Sequence, residues 1–282
     1  MKIAQITDLH LGFDPADPCE LNRQRLDRTV AALLAGPDLP DAVLVTGDLT
    51  ESGTPEGYAA LRDALAPLAM PVWPCLGNHD RRANFCRAFP QVGTDAAGFV
   101  QYEGALAGLR LLMLDTLEEG RHGGAFCAAR ADWLTAQLAK APDVPTIIVM
   151  HHPPVAVGID WMDPGADEPW IRRFQAAITG HDQVRAILCG HLHRPVASRL
   201  DSVTVTACPA IAPALTLDLR PIASEVPDGR AMLALEPPGY ALHRWDGTRL
   251  VTHFASVSDA PVLVRNEGAM HAAVRDMLAE RG

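Results

Sequence analysis

Apolar positions along this chain recur with two periods. Short β-branched runs alternate with stretches whose apolar residues fall every third or fourth place, the spacing of one helix face. Ile3 to Thr7 predicts a strand, roughly Leu21 to Ala35 a helix, and Ala42 to Thr46 a second strand. Roughly Glu56 to Leu65 reads as a helix and Pro71 to Leu76 as a third strand. This β-α-β-α-β order implies a largely parallel sheet with crossover helices.

Two further runs, Phe99 to Tyr102 and Leu109 to Leu114, flank a Gly-containing turn and predict a hairpin. A helix from about Ala129 to Lys140 leads into Thr146 to Met150, an almost wholly apolar buried strand. Arg185 to Cys189 is another, followed by shorter strands near Val196 to Leu200 and Val203 to Ala207. After about residue 208 the texture changes, and prolines such as Pro213, Pro221, Pro227 and Pro237 interrupt regular structure. A hairpin follows, Tyr240 to Trp245 and Leu250 to Phe254 around the turn Asp246-Gly247. A last helix is expected from about Glu267 to Glu280. The expected organisation is a core over 1–208, with 209–282 completing the second sheet, forming a cap, or making an oligomer contact. Leu215, Leu217, Leu219 and Ile222 read alternatively as core residues of an added strand.

Composition narrows the class. The chain has 282 residues, 48% of them apolar and 21% charged, as in an ordinary globular protein. No uninterrupted apolar run is long enough for a membrane span, and the polar start Met1-Lys2-Ile3-Ala4-Gln5 does not read as a signal peptide. The cytoplasm is therefore the expected compartment. Six cysteines without a Cys-x-x-Cys pair read as free thiols. A formal charge of -10 argues against a broad grip on extended nucleic acid, which needs a basic face. It leaves room for a small anionic substrate, because bound cations reverse the local field.

Five short motifs each place metal-ligand side chains just after an apolar strand. They are Asp8-Leu9-His10, Gly47-Asp48, Gly77-Asn78-His79-Asp80, His151-His152-Pro153-Pro154 and Gly190-His191-Leu192-His193. Loops at the carboxyl ends of strands in an α/β sheet converge on one crevice, so these motifs can meet despite their separation. The glycines before Asp48, Asn78 and His191 permit close approaches that a Cβ obstructs. Singly, each motif has a bland reading as a turn, a cap or a packed histidine. Their joint occurrence at successive strand ends points to a metal site.

The ordered set Asp-x-His, Gly-Asp, Gly-Asn-His-Asp, His and Gly-His-x-His resembles the signature of the calcineurin-like metallophosphoesterases. The match covers about the first 195 residues. Met150-His151-His152-Pro153-Pro154 and Cys189-Gly190-His191-Leu192-His193 look like the branch of class III cyclic-nucleotide phosphodiesterases and glycerophosphodiesterases. The resemblance implies an α/β fold, a four-layered αββα sandwich of two mixed β-sheets flanked by helices. It also implies two divalent ions, with Asp8, His10 and His193 on one, Asn78, His151 and His191 on the other, and Asp48 bridging. A donor set of imidazole, carboxylate and amide oxygen suits Mn, Fe, Co or Zn. Two such ions can ionise a bridging water near neutral pH and clamp phosphoryl oxygens.

In the family the histidine matching His79 contacts the phosphate and assists the leaving group, as general acid or hydrogen-bond donor. Asp80 is expected to orient His79 or a loop backbone, or to serve as a helix cap. His122 either contacts substrate, as a loop histidine does in related cyclic-nucleotide enzymes, or lies exposed. His152 is expected to point away from the ions and pack. Arg81 and Arg82, like Arg23 and Arg25, are taken as solvated helix residues unless they attract phosphate, and Trp161 as a wall of the pocket or a loop anchor.

The leading expectation is a phosphodiesterase acting on small diesters such as cyclic nucleotides or glycerophosphodiesters. A phosphomonoesterase, a nuclease and a non-catalytic scaffold are the alternatives. A nuclease lacks its basic groove here. The phosphoprotein phosphatases carry Glu where this chain has Asp80, and a scaffold would have lost ligands. Similar enzymes form dimers or larger assemblies, so a homo-oligomer is expected.

Overall fold

The computed structural model describes residues 1–165, 167–223 and 225–281. The chain runs β1 (Lys2–Ile6), α1 (Leu21–Ala35), β2 (Ala42–Thr46), α2 (Pro55–Leu65), β3 (Val72–Cys75) and α3 (Arg82–Ala88). It continues through β4 (Tyr102–Leu106), β5 (Leu109–Met113), α4 (Ala128–Lys140), β6 (Thr146–Val149), α5 (Pro169–Ile178) and β7 (Val184–Cys189). Then come β8 (Val196–Leu200), β9 (Val203–Ala207), β10 (Ala214–Leu215), β11 (Leu233–Ala234), β12 (Gly239–Trp245), β13 (Leu250–Ser256) and α6 (Gly268–Ala279).

Two mixed sheets form the centre. One has the order β13-β12-β1-β2-β3 and the other β4-β5-β6-β7-β9-β8, with β10 and β11 a separate pair. Strand alternation decides what each face buries. Along β1 and β2, Ala4, Ile6, Val43 and Val45 pack outward on Leu26, Val30 and Leu61 of α1 and α2. Ile3 and Leu44 turn inward and meet Leu111, Ile147 and Leu188 of the opposing sheet. Beyond that sheet, Leu134 and Leu138 of α4 and Trp170 and Phe174 of α5 cover Ile148 and Ile187. The succession of helices, sheet, sheet and helices is the four-layered αββα sandwich.

Several sequence expectations shift. The hairpin of β12 and β13 pairs with β1, antiparallel through Ile3 and His243. The hairpin thus extends the sheet begun by the N-terminal strands. The first strand of the earlier hairpin starts at Tyr102 rather than Phe99. Residues 99 and 100 are instead held in a loop, where the Phe99 amide bonds Asp95 at 2.9 Å and the Val100 amide bonds Asp115 at 2.9 Å. Helix α5 had no counterpart in the sequence reading, although Trp170, Phe174, Ala177 and Ile178 follow helical spacing. Leu215 is buried as a core residue, whereas Leu217 and Leu219 are exposed. No described helix is long and apolar enough to cross a membrane.

Candidate metal centre

The carboxyl ends of β1, β2, β3, β6 and β7 bring all five motifs to one crevice. The loops also hold each other. The Asp8 amide bonds the Gly47 carbonyl at 3.1 Å, and the amides of Leu9 and His10 share the Asp48 carbonyl at 2.9 Å. The His191 amide donates to both Asp8 oxygens, at 3.1 and 3.0 Å, and the His79 amide to Asp48 Oδ1 at 2.8 Å.

Two donor groups meet at Asp48. One joins Asp8, His10, Asp48 and His193, whose ligand atoms lie within 4.8 Å of one another. On the other side, His151 Nε2 lies 3.2 Å from Asn78 Oδ1 and 3.4 Å from Asp48 Oδ2. The His191 ring meets the His151 ring edge-on, centroids 5.1 Å apart. Asp48 Oδ2 is also 3.5 Å from His10 Nε2, so one carboxylate touches both groups.

Ring orientation tests whether these side chains suit cations. His193 Nδ1 bonds the Pro213 carbonyl and His151 Nδ1 the Thr46 carbonyl, both at 2.8 Å. A carbonyl only accepts, so each Nδ1 carries the proton and each neutral ring presents a bare Nε2. His10 Nδ1 is likewise fixed by the Glu51 carboxylate at 2.8 Å. The Nε2 atoms of His10 and His193 then face each other at 3.1 Å with no proton between them. His151 Nε2 and Asn78 Oδ1, also two acceptors, stand in the same relation. Lone pairs held this close repel unless a proton or a metal ion lies between them, and the spacing suits ligand bonds of about 2.1 Å. The residues fit divalent ions.

The electrostatics agree. Burial raises the Asp48 carboxyl, but the rings of His151, His10 and His79 outweigh it and hold it well below its usual range. Burial pushes His151 down, yet Asp48, Asp8 and the Thr46 carbonyl prevail and lift it to about 9, so without metal its Nε2 holds a proton toward Asp48 that a metal ion would displace. His191 is pushed well down, first by burial and then by neighbouring His152, His151 and His122, which favours the neutral ligand form.

The remaining candidates divide. His79 lines the cleft, its Nδ1 bonded to the Glu51 carbonyl at 2.8 Å, which leaves Nε2 available. His122 also lines the cleft and stacks on His191 with centroids 4.8 Å apart. Asp80 is fully buried behind the ligands. Its Oδ2 accepts from Gly77 and Leu49 amides at 2.9 and 3.2 Å and its Oδ1 from the Tyr58 hydroxyl at 3.0 Å. These contacts orient loop backbone rather than His79. His152 is buried with Nδ1 on Thr116 Oγ1 at 2.8 Å and Nε2 on the His122 carbonyl at 3.1 Å, so it packs and steadies the His122 loop. Arg82 is spent on Asp115 through bonds of 2.7 and 3.0 Å, and Arg81 on the Asp80 carbonyl. Glu51 is a site residue that the sequence reading missed. Its signal was an acid three places after Asp48, in the same loop.

The cleft over these ligands measures about 500 Å³. Phe13 and Leu21 stand on one rim, Trp161 and Met162 on another, and Leu215 and Leu233 of the C-terminal region on a third. Carboxylates of Asp14, Asp17 and Glu20 also face it, and no lysine or arginine does among the described residues.

An αββα sandwich with seven such donors at its strand ends is the framework of a metal-dependent phosphoesterase. Residues 1–195 match the family described as calcineurin-like phosphoesterase, and the chain belongs to it. It is 32% identical to a probable cyclic nucleotide phosphodiesterase of Rhodopseudomonas palustris, over 96% of this chain and 98% of that one. It is also 32% identical to the glycerophosphodiester phosphodiesterase GpdQ of Enterobacter lignolyticus, over 92% of each. Among solved structures, a dimetal phosphatase from Danio rerio shares the fold with a TM-score of 0.66 at 13% identity, covering 92% of this chain and 96% of that one.

Proposed function

We propose that this chain hydrolyses small phosphodiesters with two divalent ions. Asp8, His10 and His193 hold one ion, Asn78, His151 and His191 the other, and Asp48 touches both. When bound, such ions neutralise the phosphoryl oxygens and make water nucleophilic near neutral pH. The chain's own part begins with orientation. The carbonyls of Thr46 and Pro213 and the Glu51 carboxylate fix the ligand rings in the tautomer that binds. His79, its Nδ1 tied to the Glu51 carbonyl, presents Nε2 to the departing oxygen, to which a protonated ring donates. His122 and Asn78 complete the substrate side, with 3.5 Å between Asn78 Nδ2 and His122 Nδ1.

The observation that carries the choice of diester is the wall of the cleft. It offers apolar rims and carboxylates but no fixed cation. A phosphomonoester brings two negative charges near neutral pH and a diester only one, so the carboxylate wall repels the monoester more. The six free cysteines fit a reducing compartment, and we place the enzyme in the cytoplasm. Residues 1–208 form the catalytic core and 209–282 supply one wall of the cleft. Large exposed apolar side chains concentrate in that second part, Leu217, Leu235, Leu263 and Met277 among them. We assign this surface to a second copy of the chain, giving a homo-oligomer.

The test uses metal-stripped protein with Mn²⁺, Co²⁺ or Zn²⁺ restored. Metal-dependent turnover of bis(p-nitrophenyl) phosphate above that of p-nitrophenyl phosphate is expected. A preference for the monoester refutes the diester reading, and inactivity with every metal refutes the enzymatic one. Sedimentation at micromolar concentration checks the oligomer, and a monomer there refutes it.

A further inference from the structure

A chain of buried polar side chains runs through the apolar space between the two sheets. Gln5, on the inward face of β1, is completely buried, as is His243 on β12. Gln5 Nε2 donates to Thr46 Oγ1 on β2 and to the Cys189 carbonyl on β7, each at 2.9 Å. Gln5 Oε1 accepts from His243 Nε2 at 3.0 Å, and His243 Nδ1 meets Thr252 Oγ1 on β13 at 2.9 Å. Every side-chain hydrogen-bonding group of Gln5 is therefore used. It bridges the sheets where their strands end.

The two strand ends that Gln5 grips adjoin His151 and His191, assigned to one ion, while Asp48 and His193 lie further along the same loops and are held by the His79 amide and the Pro213 carbonyl. The Thr46 carbonyl accepts His151 Nδ1 at 2.8 Å and the Thr7 hydroxyl at 2.9 Å. Cys189 is followed by Gly190, whose amide bonds the His151 carbonyl at 3.0 Å, and then by His191. The ligands of the other ion are oriented from elsewhere, His10 by Glu51 and His193 by Pro213. Burying an amide and an imidazole between sheets carries a desolvation penalty that apolar packing avoids. The return is a fixed distance between the β2 and β7 ends, on which His151 and His191 depend.

We propose that Gln5, braced by His243, is a positioning residue for the His151–His191 half of the metal centre. Through it the C-terminal hairpin sets the affinity of one ion and not the other. This rests on the two-ion reading above. Outer partners of ligand rings typically account for 10- to 100-fold in metal affinity, and a loss of about that size is expected at one site only.

Metal-stripped wild type, Gln5→Met and His243→Phe are titrated with Co²⁺, following heat and the visible spectrum, after circular dichroism shows them folded. Two binding events are expected in wild type. In Gln5→Met one of the two events shifts about 10-fold or more while the other stays, and His243→Phe shifts the same event by less. Thr206→Val serves as control, since the buried Thr206 Oγ1 has no partner and its removal leaves both events in place. A variant that melts earlier but binds both ions as wild type does overturns the proposal, as does an equal weakening of both. Should Gln5→Met not fold, Thr46→Val removes only the hydroxyl that Gln5 grips and decides by the same criterion. A single event in wild type refutes the two-ion reading itself, a distinguishable failure.

Discussion

Substituting Asp80 by Asn and by Ala separates a backbone clamp from a charged partner in catalysis. Asp80 Oδ2 accepts the Gly77 and Leu49 amides, and Oδ1 accepts the Tyr58 hydroxyl. An asparagine keeps its oxygen where Oδ2 stands and saves both backbone bonds. Its amide nitrogen then donates to the Tyr58 oxygen, and the tyrosine proton turns to the Arg81 carbonyl, already 3.5 Å away. Alanine leaves two buried amides without acceptors, a loss of about 1–3 kcal/mol each and so about 2–6 kcal/mol together. At about 2–4 °C per kcal/mol in a chain of this size, the melting point falls by roughly 5–20 °C. Gly77 and Leu49 flank Asn78 and Asp48, so Asp80→Ala also loosens both ions. Burial, and then Asp48, lift the Asp80 carboxyl from its usual 3.8 to about 6. Folding thus favours its protonated form, and wild-type stability declines as pH rises from 3.8 to about 6. Asparagine removes that slope. Melting curves between pH 4 and 8, with Mn²⁺-dependent diester turnover, read all of this. If Asp80→Asn is folded and metal-loaded but as inactive as Asp80→Ala, the negative charge takes part in catalysis and the clamp reading fails.

Three further outcomes are expected. His79→Ala lowers turnover of an alkyl diester about 10-fold or more while metal content stays near normal, and unchanged turnover removes His79 from the mechanism. Asp48→Ala loses one or both ions by elemental analysis, and two tightly held ions in that variant contradict its shared role. The metal-stripped protein loses thermal stability as pH rises from about 6.5 to about 9, because His151 is raised from 6.5 to about 9 on folding, so its pairing with Asp48 contributes in full below 6.5 and is lost as pH rises through about 9. Restored metal displaces that proton and flattens the profile, and a flat profile without metal refutes the pairing.

The parts of the fold legible in sequence are those set by local apolar runs. The spans of α1, β2, β8 and β9 agree with expectation residue for residue, because proline, glycine or polar residues bound each of them, save that Cys208 stands between β9 and Pro209. Phe99 misled because its apolar ring serves a loop, facing the guanidinium of Arg130 at 4.3 Å, rather than a strand. Helix α5 starts at Pro169, and a proline in the first turn suits a helix although it interrupts the apolar spacing. The seven donor residues were legible because each motif keeps its ligands within a few positions. Glu51, Gln5 and Thr116 were not, because their roles are hydrogen bonds to residues far along the chain. The sheet joined by β12 and β13 was illegible for the same reason. Alternation shows which face is apolar but not which edge it meets.

Backbone geometry explains why those motifs take the form they do. Asp8, His10, Asp48, His191 and His193 have φ between 46° and 72°, the left-handed region that such residues adopt at a cost of about 1–3 kcal/mol each. That strain persists because neighbouring loops over-determine it. A Cβ on Gly47 would stand 2.3 Å from His151 Nδ1, and one on Gly190 would stand 2.0 Å from Thr7 Oγ1 and 2.7 Å from the Thr46 carbonyl. Each loop therefore occupies the volume that a side chain on the next would need. A displaced ligand cannot relax alone, since its neighbour's backbone carbonyl or ring stands in the way. Interlocking of this kind presents His10, His151 and His193 with their Nε2 atoms already converged, so that a metal ion has only to displace a proton instead of having to assemble the site.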